Sequence, residues 1–133
     1  MNTLVVDTDV ISYLLKQDSR AELYRPILKD TFPLISFMTL AELEQWALLK
    51  QWGPRRREQM ENHLLRYTLV PFDRSLCQAW AEVRYQAFCV GRVIDTADAW
   101  IAATALLYQV PLVTHNHSHF AWLKQLNVIS ATS

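Results

Sequence analysis

The sequence predicts an α/β fold in which helices cover both faces of a central, mainly parallel sheet of four or five strands, giving three layers. Short apolar runs alternate along the chain with segments of helical periodicity, and parallel βαβ units produce this alternation. The chain has 133 residues, of which 51% are hydrophobic, and no linker-like stretch interrupts it. This length suits one packed core, so a single domain spanning residues 1–133 is expected.

The first half of the chain is expected to contain two strands and four helices. Residues 4–6 and 34–37 are short, largely apolar runs, as in strands buried on both faces. Thr39, followed three residues later by Glu42, has the form of a capping box and marks a helix start, and Gly53-Pro54 is a stop signal. The helices are expected at residues 9–16, 21–29, 39–51 and 55–66.

The second half is expected to contain two further helices and two or three strands. Ser75 can cap a helix that ends at Gly91, and an alanine-rich helix follows over Thr96–Tyr108. Apolar residues recur on the first of these helices at steps of four and three, which predicts one buried stripe. The stripe consists of Leu76, Trp80, Val83, Ala87 and Val90. The strands are expected at residues 68–70, 112–114 and 127–129.

The charge balance argues against a broad, non-specific nucleic-acid-binding surface. The formal net charge is zero, whereas such domains are usually clearly basic. A local basic path remains open, and the alternative is that its arginines lie on solvated helix faces. The arginines concerned are Arg55, Arg56, Arg57, Arg66, Arg74, Arg84 and Arg92.

Neither a membrane segment nor a secretory signal is expected. No apolar run reaches the roughly 20 residues that span a bilayer, and the N-terminus lacks a basic segment leading into an apolar one. Cys77 and Cys89 lie on one predicted helix, roughly 18 Å apart at about 1.5 Å per residue, which is too far for a disulfide. We therefore expect a cytoplasmic protein with free, mostly buried thiols.

Acidic residues stand where a parallel sheet binds its ligands. Asp7 and Asp9 follow the first strand, and Glu42 and Asp98 are each expected in the first turn of a helix. Taken singly, an acid in the first turn is more often a helix cap than a ligand. However, the carboxyl ends of parallel strands share one edge, so at least three carboxylates should converge there. Such a cluster favours a hard divalent cation, Mg²⁺ or Mn²⁺.

Three segments carry these acids in order: LVVDTDVIS at 4–12, ISFMTLAE at 35–42 and DAWIAATA at 98–105. A fourth segment, LVTHN at 112–116, follows them. Together they resemble the PIN-domain family over nearly the whole chain, and most closely the VapC-type toxins of bacterial toxin–antitoxin pairs. The resemblance implies Mg²⁺- or Mn²⁺-dependent cleavage of RNA. It assigns metal-binding and catalytic roles to residues 7, 42 and 98. It also implies a small antitoxin partner and a homodimer.

The chain departs from the family pattern at two places. The family usually has asparagine where this chain has Asp9. It also tends to supply a fourth acid near the last strand, where this chain has Asn116 or His119. These three residues and Thr114 are therefore expected to play auxiliary roles.

Two further patterns have more than one interpretation. His115, His117 and His119 alternate, so in an extended segment they would share a face and could hold zinc; a polar loop beside the acidic site is the alternative. The helix from Leu40 to Trp52 is apolar on several sides. This indicates either a central buried helix or a surface for a second subunit or antitoxin.

Two other functions remain open from the sequence. One is a catalytically weak or inactive PIN-like binding module, because the fourth acid is replaced. The other is a phosphatase of the haloacid-dehalogenase type. The segment Asp7-Thr8-Asp9-Val10 also resembles that family's signature, in which Asp7 would be the nucleophile and Asp9 the acid/base.

Overall fold

A five-stranded, wholly parallel sheet forms the centre of the protein, whose computed structural model describes residues 2–131. The strand order is β3-β2-β1-β4-β5, and each neighbouring pair is parallel. The strands are β1 (Asn2–Val6), β2 (Thr31–Ser36), β3 (Thr68–Val70), β4 (Leu112–Val113) and β5 (Val128–Ile129). The predicted α/β class is confirmed, and of the four or five strands expected the sheet has five. Residues 1, 132 and 133 of the expected single domain lie outside the described range.

Helices cover both faces of this sheet and create two apolar cores. Leu4 and Val6 of β1 point into one core while Val5 points into the other, as the alternation of side chains along a strand requires. The first core also contains buried residues of the first four helices, and the second those of the fifth and sixth helices. The helices are α1 (Thr8–Lys16), α2 (Ala21–Leu28), α3 (Phe37–Leu49), α4 (Pro54–Leu64), α5 (Arg74–Cys89), α6 (Thr96–Tyr108) and α7 (His117–Phe120).

Two helices are capped by a different residue from the one predicted. Ser36 caps α3 by accepting a hydrogen bond from the Met38 backbone N–H at 3.0 Å, so the capping box predicted at Thr39 is wrong. The chain passes directly from β2 into α3, and Glu42 therefore lies in the second turn. In α5 the cap is Asp73, which accepts from the Leu76 N–H at 2.8 Å, rather than the predicted Ser75.

The predicted apolar stripe of α5 is buried only in part. Leu76, Val83 and Ala87 are buried, but Val90 follows the last helical residue and is 68% exposed. Gly91 ends the helix in the left-handed conformation, as predicted. Cys77 and Cys89 both lie off the stripe and are exposed, so the expectation of mostly buried thiols is wrong.

Helix α3 is not the central, fully buried helix that its composition permitted. Leu43 and Ala47 are buried, whereas Leu48 and Leu49 are 70% and 71% exposed. The central position belongs to α6, whose residues 101–105 are all buried. Helix α3 therefore presents an exposed apolar edge. Within residues 2–131 no helix is long and apolar enough to cross a bilayer.

Candidate metal centre

Asp7 lies at the carboxyl end of the central strand and is held by two short hydrogen bonds. It caps α1 and accepts from the Thr8 backbone N–H at 2.7 Å. Its second oxygen accepts from the hydroxyl of Thr114 at 2.7 Å. Thr114 directly follows β4, which pairs with β1, so adjacent strand ends supply the acid and its donor. Only 4% of Asp7 is exposed.

Asp9 joins the same two strand ends from the first turn of α1. Its Oδ2 accepts from the backbone N–H of His115 at 3.1 Å and from the side-chain amide of Asn116 at 3.0 Å. Asn116 also donates its backbone N–H to the Thr114 hydroxyl at 3.0 Å. Asp9, Thr114 and Asn116, the three auxiliary candidates near the first and fourth strands, therefore form one hydrogen-bonded network around Asp7.

Glu42 reaches this edge from the second turn of α3. Its Oε1 accepts a hydrogen bond from the Thr8 hydroxyl at 2.8 Å, and that hydroxyl also lies 2.9 Å from the hydroxyl of Thr39. Thr8 follows Asp7 in the chain. It therefore contacts two candidate ligands, Asp7 through its backbone N–H and Glu42 through its hydroxyl. Thr8 was not among the site residues expected from the sequence, although it lies inside the segment at residues 4–12.

Asp98 lies in the first turn of α6, where the sequence placed it. The cap of this helix is Asp95, which accepts from the Ala97 N–H at 2.8 Å, so Asp98 does not serve as the cap. Its Oδ2 lies 3.1 Å from Nδ1 of His119. His119 therefore faces the carboxylates rather than the outside of its segment, and its side chain remains 54% exposed.

The carboxylate cluster, which we define as Asp7, Asp9, Glu42 and Asp98, is electrostatically strained. Burial is the main cause that raises the pKa of each member. Repulsion adds to it: Asp9 and Asp98 raise the pKa of Asp7, and Asp98 and Asp95 raise that of Glu42. Asp95 is thus an additional acid at the site that the sequence analysis missed. Carboxylates in this arrangement favour a cation between them.

The donor set suits a hard divalent ion, because every member of the carboxylate cluster offers oxygen. In the conformations shown, no three histidine, cysteine, aspartate or glutamate side chains in the described range are arranged to hold one ion. Their oxygens accept hydrogen bonds from Thr8, Thr114 and protein backbone instead. To hold one ion jointly, three of these side chains would have to rotate from the conformations described.

The histidine-based zinc site is not formed. His117 and His119 belong to the short helix α7, whereas His115 precedes it and contacts the Tyr24 hydroxyl through Nδ1 at 2.6 Å. The three histidines do not share the face that an extended segment would give them. The extended conformation that such a shared face requires is absent, because residues 117–120 are helical.

A larger cavity lies away from the carboxylates. Its volume is about 730 Å³, against about 220 Å³ for the cleft beside Asp98 and His119. It lies beside the start of β2, where Thr31 and Pro33 line it, whereas the carboxylate cluster lies at the other ends of the strands. The cavity with the larger volume is therefore separate from the carboxylate cluster, and the candidate centre is identified by its residues rather than by its volume.

Comparison with known proteins agrees with this geometry. A family model described as the PIN domain matches residues 4–123. The chain is 34% identical to VapC ribonuclease Y4jK of Sinorhizobium fredii, covering 88% of this chain and 89% of that protein. It is 31% identical to plasmid stability protein StbB of Pseudomonas syringae pv. tomato, covering 96% of each. The solved structure of VapBC-1 from nontypeable Haemophilus influenzae superposes with a TM-score of 0.83 at 27% identity, covering 98% and 99% of the two chains. The chain therefore belongs to the PIN-domain family.

Proposed function

We propose that this chain is a metal-dependent endoribonuclease of the VapC toxin type, with Mg²⁺ or Mn²⁺ held by Asp7, Glu42 and Asp98. The observation that carries the proposal is the meeting of one buried carboxylate, Asp7, with the partly buried carboxylates of Glu42 and Asp98 at the carboxyl edge of the sheet. Burial raises the pKa of all three, and Asp98 further raises the pKa of Asp7 and of Glu42. Family membership supports dependence on a divalent metal ion. The choice between the two ions is part of the proposal.

The protein's own residues prepare the carboxylates for this chemistry. When bound, the ion would polarise a phosphodiester oxygen and lower the pKa of a water molecule. The Thr114 hydroxyl and the Thr8 N–H fix the carboxylate plane of Asp7, and the Thr8 hydroxyl orients Glu42. Asn116 and the backbone of residue 115 hold Asp9 beside them. These contacts limit the movement that loading of the ion would require.

The relatives suggest the partners. One relative is named a ribonuclease, and the Haemophilus influenzae VapBC-1 and Neisseria gonorrhoeae FitAcB structures resemble this fold. We propose RNA as the substrate, a small cognate antitoxin as the inhibitory partner, a homodimer and a cytoplasmic location. The exposed edge of α3 at Leu48 and Leu49 is a candidate contact for one of these proteins.

A second function, a non-catalytic PIN-like binding module, is favoured by one observation. His119 occupies the position where the family tends to supply an acid, and it pairs with Asp98. A histidine cannot give the negatively charged oxygen that hard ions prefer. The phosphatase alternative is not retained, because the family match covers the segment that suggested it.

Cleavage of a mixed RNA pool tests the proposal. Wild type should cleave with Mg²⁺ or Mn²⁺ and not with chelator, and Asp7→Asn and Asp98→Asn should each abolish cleavage while remaining folded. Asp18→Asn is the matched control, because Asp18 pairs with Arg20 outside the site, and it should retain activity. Full activity in either site variant would refute the assignment. A wild-type protein that binds its partner but cleaves nothing would establish the binding module instead.

A further inference from the structure

A rim of residues lies beside the carboxylate cluster and has no part in the proposed chemistry. These residues belong to the second half of α5 and to the segment that follows it. A cleft of about 220 Å³ is lined by Arg92, Val93, Asp95, Asp98 and His119. A second cleft, of about 190 Å³, is lined by Arg84, Ala87, Phe88, Arg92, Val93 and Ile94. The two clefts share Arg92 and Val93, so they form one path that leads from Asp98 to Phe88.

Two guanidinium groups are held in place along this path. Arg92 lies over the Trp122 ring at 5.6 Å and donates to the Ser118 carbonyl at 2.9 Å. Arg84 lies over the Trp80 ring at 5.4 Å and donates to the carbonyl of Ile94 at 3.0 Å. In the described part of the chain neither arginine forms a salt bridge with a carboxylate. Their positive charges are therefore available to an anionic ligand.

The same rim exposes apolar side chains. Phe88 is 79% exposed and Val93 is 95% exposed, although the cleft that they line also contains the buried residues Ala87 and Ile94. An aromatic ring beside arginines is the combination that binds single-stranded nucleic acid, because the ring stacks on bases and the cations contact phosphates. The other arginine group, at residues 55–57, lies on α4 and covers the opposite face of the sheet.

We propose that Arg84, Phe88, Arg92 and Val93, the α5 rim, form a subsite for single-stranded RNA next to the carboxylate cluster. Arg92 contacts a backbone phosphate close to the reacting one, and Phe88 stacks on a base farther along the strand. The charge of the rim complements a polyanion, while the adjoining carboxylates repel one unless a cation is bound. The identity of the ligand as RNA rests on the proposed function, whereas its position rests on the rim itself.

Binding without cleavage tests the subsite. Fluorescence anisotropy measures the affinity of the chain, in excess chelator, for a short labelled RNA of mixed sequence. Phe88→Ala should raise Kd about tenfold, within the range for loss of one stacked base. Arg92→Ala should raise Kd by a similar factor and reduce the salt dependence by about 0.7 in log–log slope. Arg55→Ala and Leu65→Ala are the matched controls and should leave Kd unchanged. Both residues are exposed, and they lie on α4 and at its C-terminal end, on the opposite face of the sheet.

The outcomes separate this subsite from the proposed function. With metal ion present, Arg92→Ala should raise KM and leave kcat close to that of wild type. Rim-dependent RNA binding without any cleavage would support the subsite and defeat the ribonuclease assignment. Unchanged Kd in both rim variants, or an equal loss in the controls, would overturn the subsite. If Phe88→Ala binds RNA with unchanged affinity but no longer forms a dimer, the subsite is overturned and Phe88 is instead a contact between subunits. Circular dichroism verifies that each variant is folded.

Discussion

Replacing Thr114 with valine should destabilise the protein through Asp7. Valine keeps the shape of threonine but removes the hydroxyl, which donates to Asp7 at 2.7 Å and accepts from the Asn116 N–H at 3.0 Å. Thr114 is fully buried and Asp7 nearly so, so water does not readily replace either partner. The Asp7 carboxylate would then keep only its bond from the Thr8 N–H within the hydrogen-bond network described above.

The expected cost follows from these two contacts. A hydrogen bond to a charged acceptor contributes about 1.5–3 kcal/mol and a neutral one about 0.5–1.5 kcal/mol, so unfolding should become easier by about 2–4 kcal/mol. The cost should depend on pH, because the Thr114 hydrogen bond lowers the pKa of Asp7 against the larger effect of burial. The variant should lose most where Asp7 is charged. The loss should shrink as pH falls through the raised pKa of the folded protein toward the ordinary value of 3.8.

Urea unfolding of metal-free protein across this pH range measures the effect. Thr104→Val is a matched control, since Thr104 is equally buried and donates only to the neutral carbonyl of Trp100 at 2.8 Å. It should cost about 1 kcal/mol at every pH. If Thr114→Val and Thr104→Val lose the same free energy with the same pH profile, the assigned interaction with Asp7 is refuted.

Three further predictions concern the carboxylates and His119. Asp7→Asn should stabilise the metal-free fold at neutral pH, because burial raises the pKa of Asp7 and charging Asp7 therefore costs stability. In denaturant titrations this gain in stability should disappear as the pH falls toward 3.8. No gain at neutral pH would contradict the raised pKa of Asp7. Glu42→Gln should change the melting temperature little, since the amide oxygen can still accept a hydrogen bond from Thr8. If Glu42 is a metal ligand, the same variant should lower RNA cleavage about tenfold or more. Unchanged cleavage would leave Glu42 with a structural role only. His119→Asp should tighten Mn²⁺ binding measured by calorimetry, because it places another carboxylate beside Asp98, and equal affinity would exclude residue 119 from the centre.

The sequence predicted both the class of fold and the edge of the sheet at which the acids meet. Short apolar runs indicate the strands, and the polar residues that follow them indicate the edge. It did not predict where α3 begins, because Ser36 and Thr39 both carry suitable hydroxyls. Pairing of Ser36 with Val70 in β3 keeps the chain extended up to that residue, and the helix starts immediately afterwards. Tertiary pairing thus decided between two local signals.

The less predictable parts of the site depend on orientation. Whether His119 faces Asp98 is decided by the short helix α7, which no periodic pattern in the sequence indicates. Thr8 was missed because a threonine beside an aspartate has no distinctive chemistry until a second strand brings Glu42 to it. The exposure of Cys77, in contrast, was predictable: it lies one residue from Leu76 and therefore about 100° around the helix from the buried stripe.

The position of β1 in the middle of the sheet has a consequence for biosynthesis. Strand β1 pairs with β2 on one side, but its other neighbour, β4, comes much later in the chain. The hydrogen bond from Thr114, which follows β4, reaches Asp7 across 107 residues of sequence. Contacts this distant in the chain form late, since a long loop must close before they stabilise the fold. A nascent chain ending before β4 therefore lacks an assembled centre. A chain that stops before β4 also lacks Thr114 and Asn116, which hold Asp7 and Asp9 in the carboxylate cluster.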